Sequence, residues 1–169
     1  LKKHGYHDEH ELMERHLKKV VEIAKKYGFK PMIWGDMFFR MSNKKPKLNN
    51  AIFENPNVKY RANLDPGTYY NPYVNFAPDT ANMIPKEVSL IYWDYYNINP
   101  DIYQGMIKKT KELSKNIIFA GGIWTWNGIT PCYGQTMYST RPALEMCHQE
   151  GVSNIFACVW RDNGEECNV

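Results

Sequence analysis

The sequence lacks long apolar runs, blocks of like charge and paired-cysteine motifs. Its apolar runs fall far short of the roughly 20 residues that a membrane-spanning helix needs, so no membrane span is expected. Twenty-one Lys and Arg stand against eighteen Asp and Glu, a net charge of +3, and the absence of charge blocks argues against a nucleic-acid partner. The four cysteines form no CxxC, which disfavours a disulfide framework and fits a reducing compartment such as the cytoplasm.

Motifs that bind nucleotides and metals are also absent. Neither GxGxxG nor GxxxxGK[ST] follows a predicted strand, which removes the main support for a nucleotide-binding doubly wound sheet. HExxH is missing, so no metal site is expected on the helix segment that carries His7, His10 and His16. We therefore expect neither a metal ion nor an organic cofactor.

What the sequence does contain is an alternation of helix and strand patterns. Apolar residues recur at three- and four-residue steps over residues 8–27, which predicts an amphipathic helix that stops at Gly28. Further helices are predicted over residues 100–113 and 141–149, the latter with Pro142 in its first turn. Residues 42–87 are polar and predict a long excursion with a short helix near residues 79–83. Four near-continuous apolar segments predict strands: PMIWGDMFF from Pro31, and residues 88–95, 117–125 and 154–160.

Such strands, separated by helices, indicate an α/β fold with a parallel sheet. The missing phosphate loops favour a barrel over a doubly wound sheet, but four strands are half of what a closed (β/α)8 barrel needs. We expect residues 1–169 to form one partial catalytic domain, the C-terminal part of a (β/α)8 TIM barrel, within a longer protein. The unpaired edges of such a half barrel predict a homodimer or a missing N-terminal half as partner.

Residue pairs spaced by two stand at the predicted C-terminal ends of the strands. Positions i and i+2 of a strand point the same way, and the C-terminal mouth of a barrel is where its chemistry takes place. The pairs predict a pocket with aromatic walls and carboxylates at its edge, which suits a sugar ring with an apolar C–H face and polar hydroxyls. These pairs are Trp34-x-Asp36, Tyr92-x-Asp94, Trp124-x-Trp126 and Trp160-x-Asp162.

Around these pairs the chain resembles glycoside hydrolase family 20, the β-N-acetylhexosaminidases, and most closely the bacterial branch of streptococcal-type N-acetylglucosaminidases. The resemblance implies substrate-assisted, retaining hydrolysis of terminal β-linked N-acetylglucosamine or N-acetylgalactosamine, with such glycans as partners. The stretches that carry it are YGFKPMIWGDMFFRM, VSLIYWDYY, FAGGIWTWNG and NIFACVWRDNGEEC.

The resemblance also implies roles for individual residues. Tyr92 is expected to donate a hydrogen bond to the substrate's acetamido oxygen, with Asp94 beside it. Asp162 stands where the family more often has Glu and is expected to bind the sugar's O4 and O6 hydroxyls, and Glu165 is a rival for that role. Asp36 is a further candidate sugar ligand at a strand end, and the expected indole walls of the pocket are Trp34, Trp124 or Trp126, and Trp160.

The family's catalytic Asp-Glu pair, set in H-x-G-x-D-E, is absent from the sequence. Asp8-Glu9 precedes an amphipathic helix, where acidic residues favour the positive end of the helix dipole, so we do not expect it to be that pair. The general acid is expected upstream of Leu1, and the isolated chain is expected to be inactive. Two alternatives are a different barrel glycosidase with paired carboxylates, and a non-catalytic carbohydrate-binding fragment. The carboxylates available to the former are Asp36, Asp94, Asp162 and Glu165.

Overall fold

A computed structural model describes residues 3, 5–42, 72–126 and 130–160. Within them, helices and strands alternate along the chain, as the sequence predicts. No helix in these ranges combines the length and the apolar character that crossing a membrane requires. In chain order the elements are α1 (Glu9–Lys26), β1 (Met32–Trp34), α2 (Asp36–Ser42), a 3-10 helix (Ala81–Met83), β2 (Ser89–Trp93), α3 (Pro100–Leu113), β3 (Ile117–Gly122), α4 (Tyr133–Gln149) and β4 (Ile155–Cys158).

The four strands form one parallel sheet in the order β1-β2-β3-β4. Crossovers between parallel strands have a fixed hand, so strands that follow one another in sequence order place their helices on the same face. Accordingly α3 contacts α4, with α3 packed on β2 and α4 on β3. A doubly wound sheet would reverse its strand order at a switch point. The α/β prediction is confirmed, and the arrangement is consistent with part of a (β/α) barrel.

Helix ends follow local signals in the sequence. Asp8 caps α1, since its side chain accepts a hydrogen bond from the Glu11 N–H at 2.9 Å. This places the Asp8-Glu9 dipeptide at a helix N-terminus, as expected. Asn99 caps α3 in the same way, and Pro100 occupies the first turn, where its missing N–H costs nothing.

Two element boundaries differ from prediction. The strand predicted from Pro31 ends at Trp34, and α2 takes up the rest of the apolar run. Its Phe38 and Phe39 are buried by a helix rather than a strand, which apolar content alone does not distinguish. Helix α4 begins at Tyr133, so Pro142 lies inside it. The predicted 79–83 helix corresponds to the 3-10 helix, and residues 43–71 of the predicted excursion lie outside the described ranges.

The main core lies between the sheet and the helices. Leu90 and Phe119 point from β2 and β3 into it and meet Tyr103, Met106 and Ile107 of α3, all of which are nearly inaccessible to solvent. Burial of this apolar surface is the largest favourable contribution to folding. The two edge strands are less covered: Met32 of β1 is 57% exposed, and Ile155 of β4 is 43% exposed.

Thiol reactivity offers a test of this packing. Cys147 is buried in the core, and burial raises the pKa of its thiol to about 12, so almost no reactive thiolate forms near neutral pH. Cys132 is exposed. We expect a maleimide to modify Cys132 in the native protein and Cys147 only after unfolding in guanidinium, as read by peptide mass spectrometry. Equal labelling of the two thiols under native conditions would contradict this core.

Candidate functional site

A cavity of about 440 Å³ lies at the C-terminal ends of the four strands. Trp34 and Trp93 are the last residues of β1 and β2, and Trp126 and Trp160 follow β3 and β4. Six aromatic rings and a single carboxylate line the cavity within the described part of the chain: Trp34, Asp36, Trp93, Tyr95, Tyr96, Trp126 and Trp160.

Strand register determines which side chains reach this cavity. Paired residues of a parallel sheet share a face, and Trp34 pairs with Ile91, two residues before Trp93. Trp93 pairs with Ala120, which pairs in turn with Phe156. The Trp34 and Phe156 rings make an edge contact with centroids 6.1 Å apart on this face. The side of the sheet opposite the helices therefore carries the cavity residues.

Tyr92 lies on the other side of the sheet, facing the helices. It is 5% exposed, and its ring packs against Phe119 with centroids 5.6 Å apart. Its hydroxyl donates to Asp94 Oδ2 at 3.0 Å. The prediction that Tyr92 and Asp94 project into the same pocket as Trp34 is wrong, because the cavity is lined instead by Trp93 at the end of β2 and by Tyr95 in the loop that follows it.

Asp94 organises the loop that follows β2. Asp94 as a residue is 1% exposed. Its Oδ1 accepts the backbone N–H groups of Tyr96 and Asn97, each at 3.0 Å, and its Oδ2 accepts the Tyr92 hydroxyl and the Asn97 side-chain amide. The hydrogen bonds from these donors offset the cost of removing the carboxylate from water. They also fix the backbone of the loop that carries Tyr95 and Tyr96.

Tyr95 stands at the centre of an aromatic cluster. Its ring centroid lies 5.1 Å from that of Trp93, 5.5 Å from that of Trp126 and 6.0 Å from that of Tyr96. Centroid separations in this range are typical of offset and tilted pairs of aromatic rings, which attract each other. Trp93, Tyr95 and Tyr96 are cavity residues that the sequence analysis missed. The stretch YWDYY places aromatic residues on both faces of the strand, so composition does not reveal which of them face the cavity.

Trp124 supports the cavity wall and is absent from the residues found to line it. It is 7% exposed, its ring stacks on Trp126 at 5.2 Å, and its indole N–H donates to the Tyr95 carbonyl at 2.8 Å. Its own backbone N–H donates to Thr136 Oγ1 at 2.9 Å, which ties it to α4. Of the two expected residues, Trp126 therefore lines the cavity, whereas Trp124 packs against Trp126 and does not line it.

Asp36 is the acidic residue among the described residues that line the cavity. It begins α2 immediately after β1, and its Oδ1 accepts the Trp93 indole N–H at 3.3 Å. A half-buried carboxylate among rings is a strong acceptor for ligand hydroxyl or amide N–H groups. Asp162 and Glu165, the other predicted acidic ligands, lie outside the described residues. No cluster of His, Cys, Asp or Glu able to hold a metal ion occurs in the ranges that are described.

No family model matches the chain, and no curated protein does. Flat aromatic faces combined with one hydrogen-bond acceptor suit a ligand that has an apolar face and polar edges.

Proposed function

We propose that the protein is a β-N-acetylhexosaminidase of the family 20 type, and that these residues supply the aromatic walls of its sugar site. The observation that supports this most is the cavity at the C-terminal ends of the four described strands, where the described residues contribute six rings and one carboxylate. This is the end of a barrel at which catalytic sites are built. Its size, about 440 Å³, lies within the range of small-molecule sites.

In the proposed reaction the substrate's own acetamido oxygen attacks the anomeric carbon while a general acid protonates the leaving oxygen. The rings of Trp34, Trp126 and Trp160 hold the acetamido group and the sugar face in the attacking pose and exclude competing water. Asp36 accepts a hydrogen bond from the sugar. The proposal places the general acid upstream of Leu1, following the resemblance.

The resemblance assigns the acetamido oxygen to Tyr92, whose side chain lies in the helix-facing core. Among the described residues, the tyrosines that line the cavity are Tyr95 and Tyr96. We propose that the donor to the acetamido oxygen belongs to this cavity-lining pair. An oriented donor at this position stabilises the charge that develops on the acetamido group in the transition state.

A hydrolysis assay tests the proposal. A version of the protein extended upstream through the next two to four strands is expected to release the chromophore from 4-nitrophenyl N-acetyl-β-glucosaminide, and the 169-residue chain is not. The extended protein carrying Trp160→Ala is the control, with weaker turnover expected because one wall is removed. Absence of hydrolysis by the extended protein would overturn the proposal, and turnover by the short chain would overturn the position of the acid.

The second candidate is a non-catalytic sugar-binding protein, favoured by the presence of one carboxylate among the described residues that line the cavity. Binding of N-acetylglucosamine by the extended protein without hydrolysis would favour it. A glycosidase with paired carboxylates has less support from this region, because Asp36 faces the cavity while Asp94 is buried in its loop on the other side of the sheet. Two such groups cannot flank one glycosidic bond.

A further inference from the structure

Trp124 lies behind the cavity wall and contacts three of the residues that line it. Its ring stacks on the Trp126 ring with centroids 5.2 Å apart, and it meets the Tyr96 ring edge-on, also at 5.2 Å. Its indole N–H donates to the Tyr95 carbonyl at 2.8 Å. Because Trp124 is buried and closely packed interiors transmit strain, a displacement of this residue is passed on to these three neighbours.

Trp126 has little room of its own. Its ring centroid lies 5.5 Å from that of Tyr95, and a Cβ on Gly122 would come within 2.7 Å of the Trp126 ring and 2.9 Å of the Tyr95 ring. The missing side chain of Gly122 therefore provides the space that both rings occupy over the end of β3. Trp126 is packed against Trp124, Tyr95 and Gly122 at once, so its position depends on where Trp124 is held.

The start of α4 holds the backbone of Trp124. The Trp124 N–H donates to Thr136 Oγ1 at 2.9 Å, and the Trp124 carbonyl accepts the Cys132 N–H at 2.7 Å. The Thr136 hydroxyl donates its one hydrogen to the Cys132 carbonyl at 3.1 Å, which leaves a lone pair for the Trp124 N–H. The hydroxyl thus joins the first turn of α4 to the segment that follows β3.

The part of the cavity next to β1 is held by other contacts. The Trp34 ring packs edge-on against Phe156, and Asp36 accepts the Trp93 indole N–H at 3.3 Å. Neither of these two contacts involves α4. A change at the start of α4 is therefore expected to move one side of the cavity and to leave the side next to β1 in place.

We propose that Thr136 is a positioning residue, whose hydroxyl acts through Trp124 to fix the wall formed by Tyr95, Tyr96 and Trp126. Thr136 is absent from the described residues that line the cavity, so it contacts neither the ligand nor the reacting atoms. The identity of the ligand rests on the proposed function, whereas the positioning of the wall does not. The first turn of α4 thus contributes to how tightly the ligand is bound.

Thr136→Val in the extended protein tests the positioning directly, because valine keeps the shape of the side chain and removes the hydroxyl. The Trp124 backbone N–H is expected to exchange with solvent about tenfold faster, as expected for the loss of one hydrogen bond. The Trp126 indole N–H signal in a ¹H–¹⁵N spectrum is expected to move. Thr136→Ser, which retains the hydroxyl, should restore both signals. Unchanged signals in Thr136→Val, or a Thr136→Ser variant that behaves like it, would overturn the proposal.

Thr140→Val is the matched control. Thr140 lies one turn further along α4 and is not among the described residues that line the cavity, so the same replacement changes helix propensity equally without touching the bond to Trp124. It should leave the Trp124 and Trp126 signals where they are. Trp124→Phe is a second variant, which keeps a ring and removes the bond to the Tyr95 carbonyl. It should also move the Trp126 signal, even if Thr136→Val fails to fold.

Kinetics supply a second readout. Thr136→Val is expected to raise KM for the chromogenic N-acetylglucosaminide about tenfold with a smaller change in kcat, since one wall loosens while the acid is untouched. Thr136→Ser and Thr140→Val should keep the KM of the unaltered extended protein. If that protein neither binds nor cleaves the sugar, the proposed function fails, and the two signals still decide the role of Thr136. A KM of Thr136→Val equal to that of Thr140→Val would overturn the positioning role.

Discussion

Replacement of Asp94 by alanine is expected to lower the free energy of unfolding by about 3 kcal/mol. The change leaves the Tyr92 hydroxyl and the backbone N–H groups of Tyr96 and Asn97 without their acceptor in a region closed to water. Each buried donor that loses its partner costs about 1–3 kcal/mol, less whatever the loop regains by relaxing. Urea denaturation of the extended protein, followed by tryptophan fluorescence, measures the loss.

The controls separate a structural role for Asp94 from a catalytic one. Asp94→Asn retains one acceptor oxygen and should lose less stability than Asp94→Ala. Asp36→Ala, at the solvent-accessible cavity, should change stability by less than about 1 kcal/mol. If Asp94→Ala retained full stability but lost sugar binding, the carboxylate would belong to the site and the description of the loop would be wrong.

Replacement of Asp36 by asparagine is expected to have the opposite profile, with stability retained and kcat/KM reduced about 30-fold. Hydrogen bonds to charged groups contribute about 1.5–3 kcal/mol, which is about 10- to 100-fold in a rate or binding ratio. Asparagine is chosen because its amide oxygen still accepts the Trp93 indole N–H, so the wall stays in place. The measurement is kcat/KM of the extended protein on the chromogenic N-acetylglucosaminide.

Asp101→Asn is the matched control for Asp36→Asn. Both aspartates stand in the first turn of a helix, but Asp101, the second residue of α3, is exposed to solvent. It should leave kcat/KM unchanged, so any helix-dipole effect common to both changes cancels. Substrates that each lack one hydroxyl then identify the group that Asp36 binds. With the unaltered protein, the substrate that lacks this hydroxyl is expected to show the same reduction in kcat/KM that Asp36→Asn causes. With Asp36→Asn, removal of the same hydroxyl is expected to reduce kcat/KM no further. Equal activity of the two variants would remove Asp36 from the site.

Much of the fold follows from local signals. The period of apolar residues and the stop at Gly28 predict α1 closely, and the helix predicted over residues 100–113 matches α3. The structure adds the caps Asp8 and Asn99, which are local start signals of the kind that helices carry in their own sequence. Four apolar segments likewise predict the four strands. The strand-to-helix change at Gly35 was missed, because its cause is tertiary: the Gly35 N–H donates to the Ile91 carbonyl of β2 at 2.8 Å, after which α2 buries its phenylalanines.

The sequence predicts that a cavity with aromatic walls lies at the strand ends, but it does not predict which residues of β2 face that cavity. Trp34, Asp36, Trp126 and Trp160 surround it, whereas Tyr92 and Asp94 were assigned to the wrong face of β2. A strand covered on both faces has no alternation of polar and apolar residues, so its sequence does not say which side is which. The glycine pair in FAGGIW was the available signal. A glycine inside a strand marks a close approach by another group, here the rings of Tyr95 and Trp126 over Gly122.

The two edge strands of the sheet are expected to cause self-association when these residues are expressed by themselves. Strands β1 and β4 each present one row of backbone donors and acceptors that no described strand satisfies, beside apolar side chains such as Met32 and Ile155. An unpaired edge strand can pair with a strand of another molecule, and higher protein concentration favours this association. Adding the complementary strands in trans, as a separately expressed polypeptide, would compete with that self-association and leave every existing strand pairing intact.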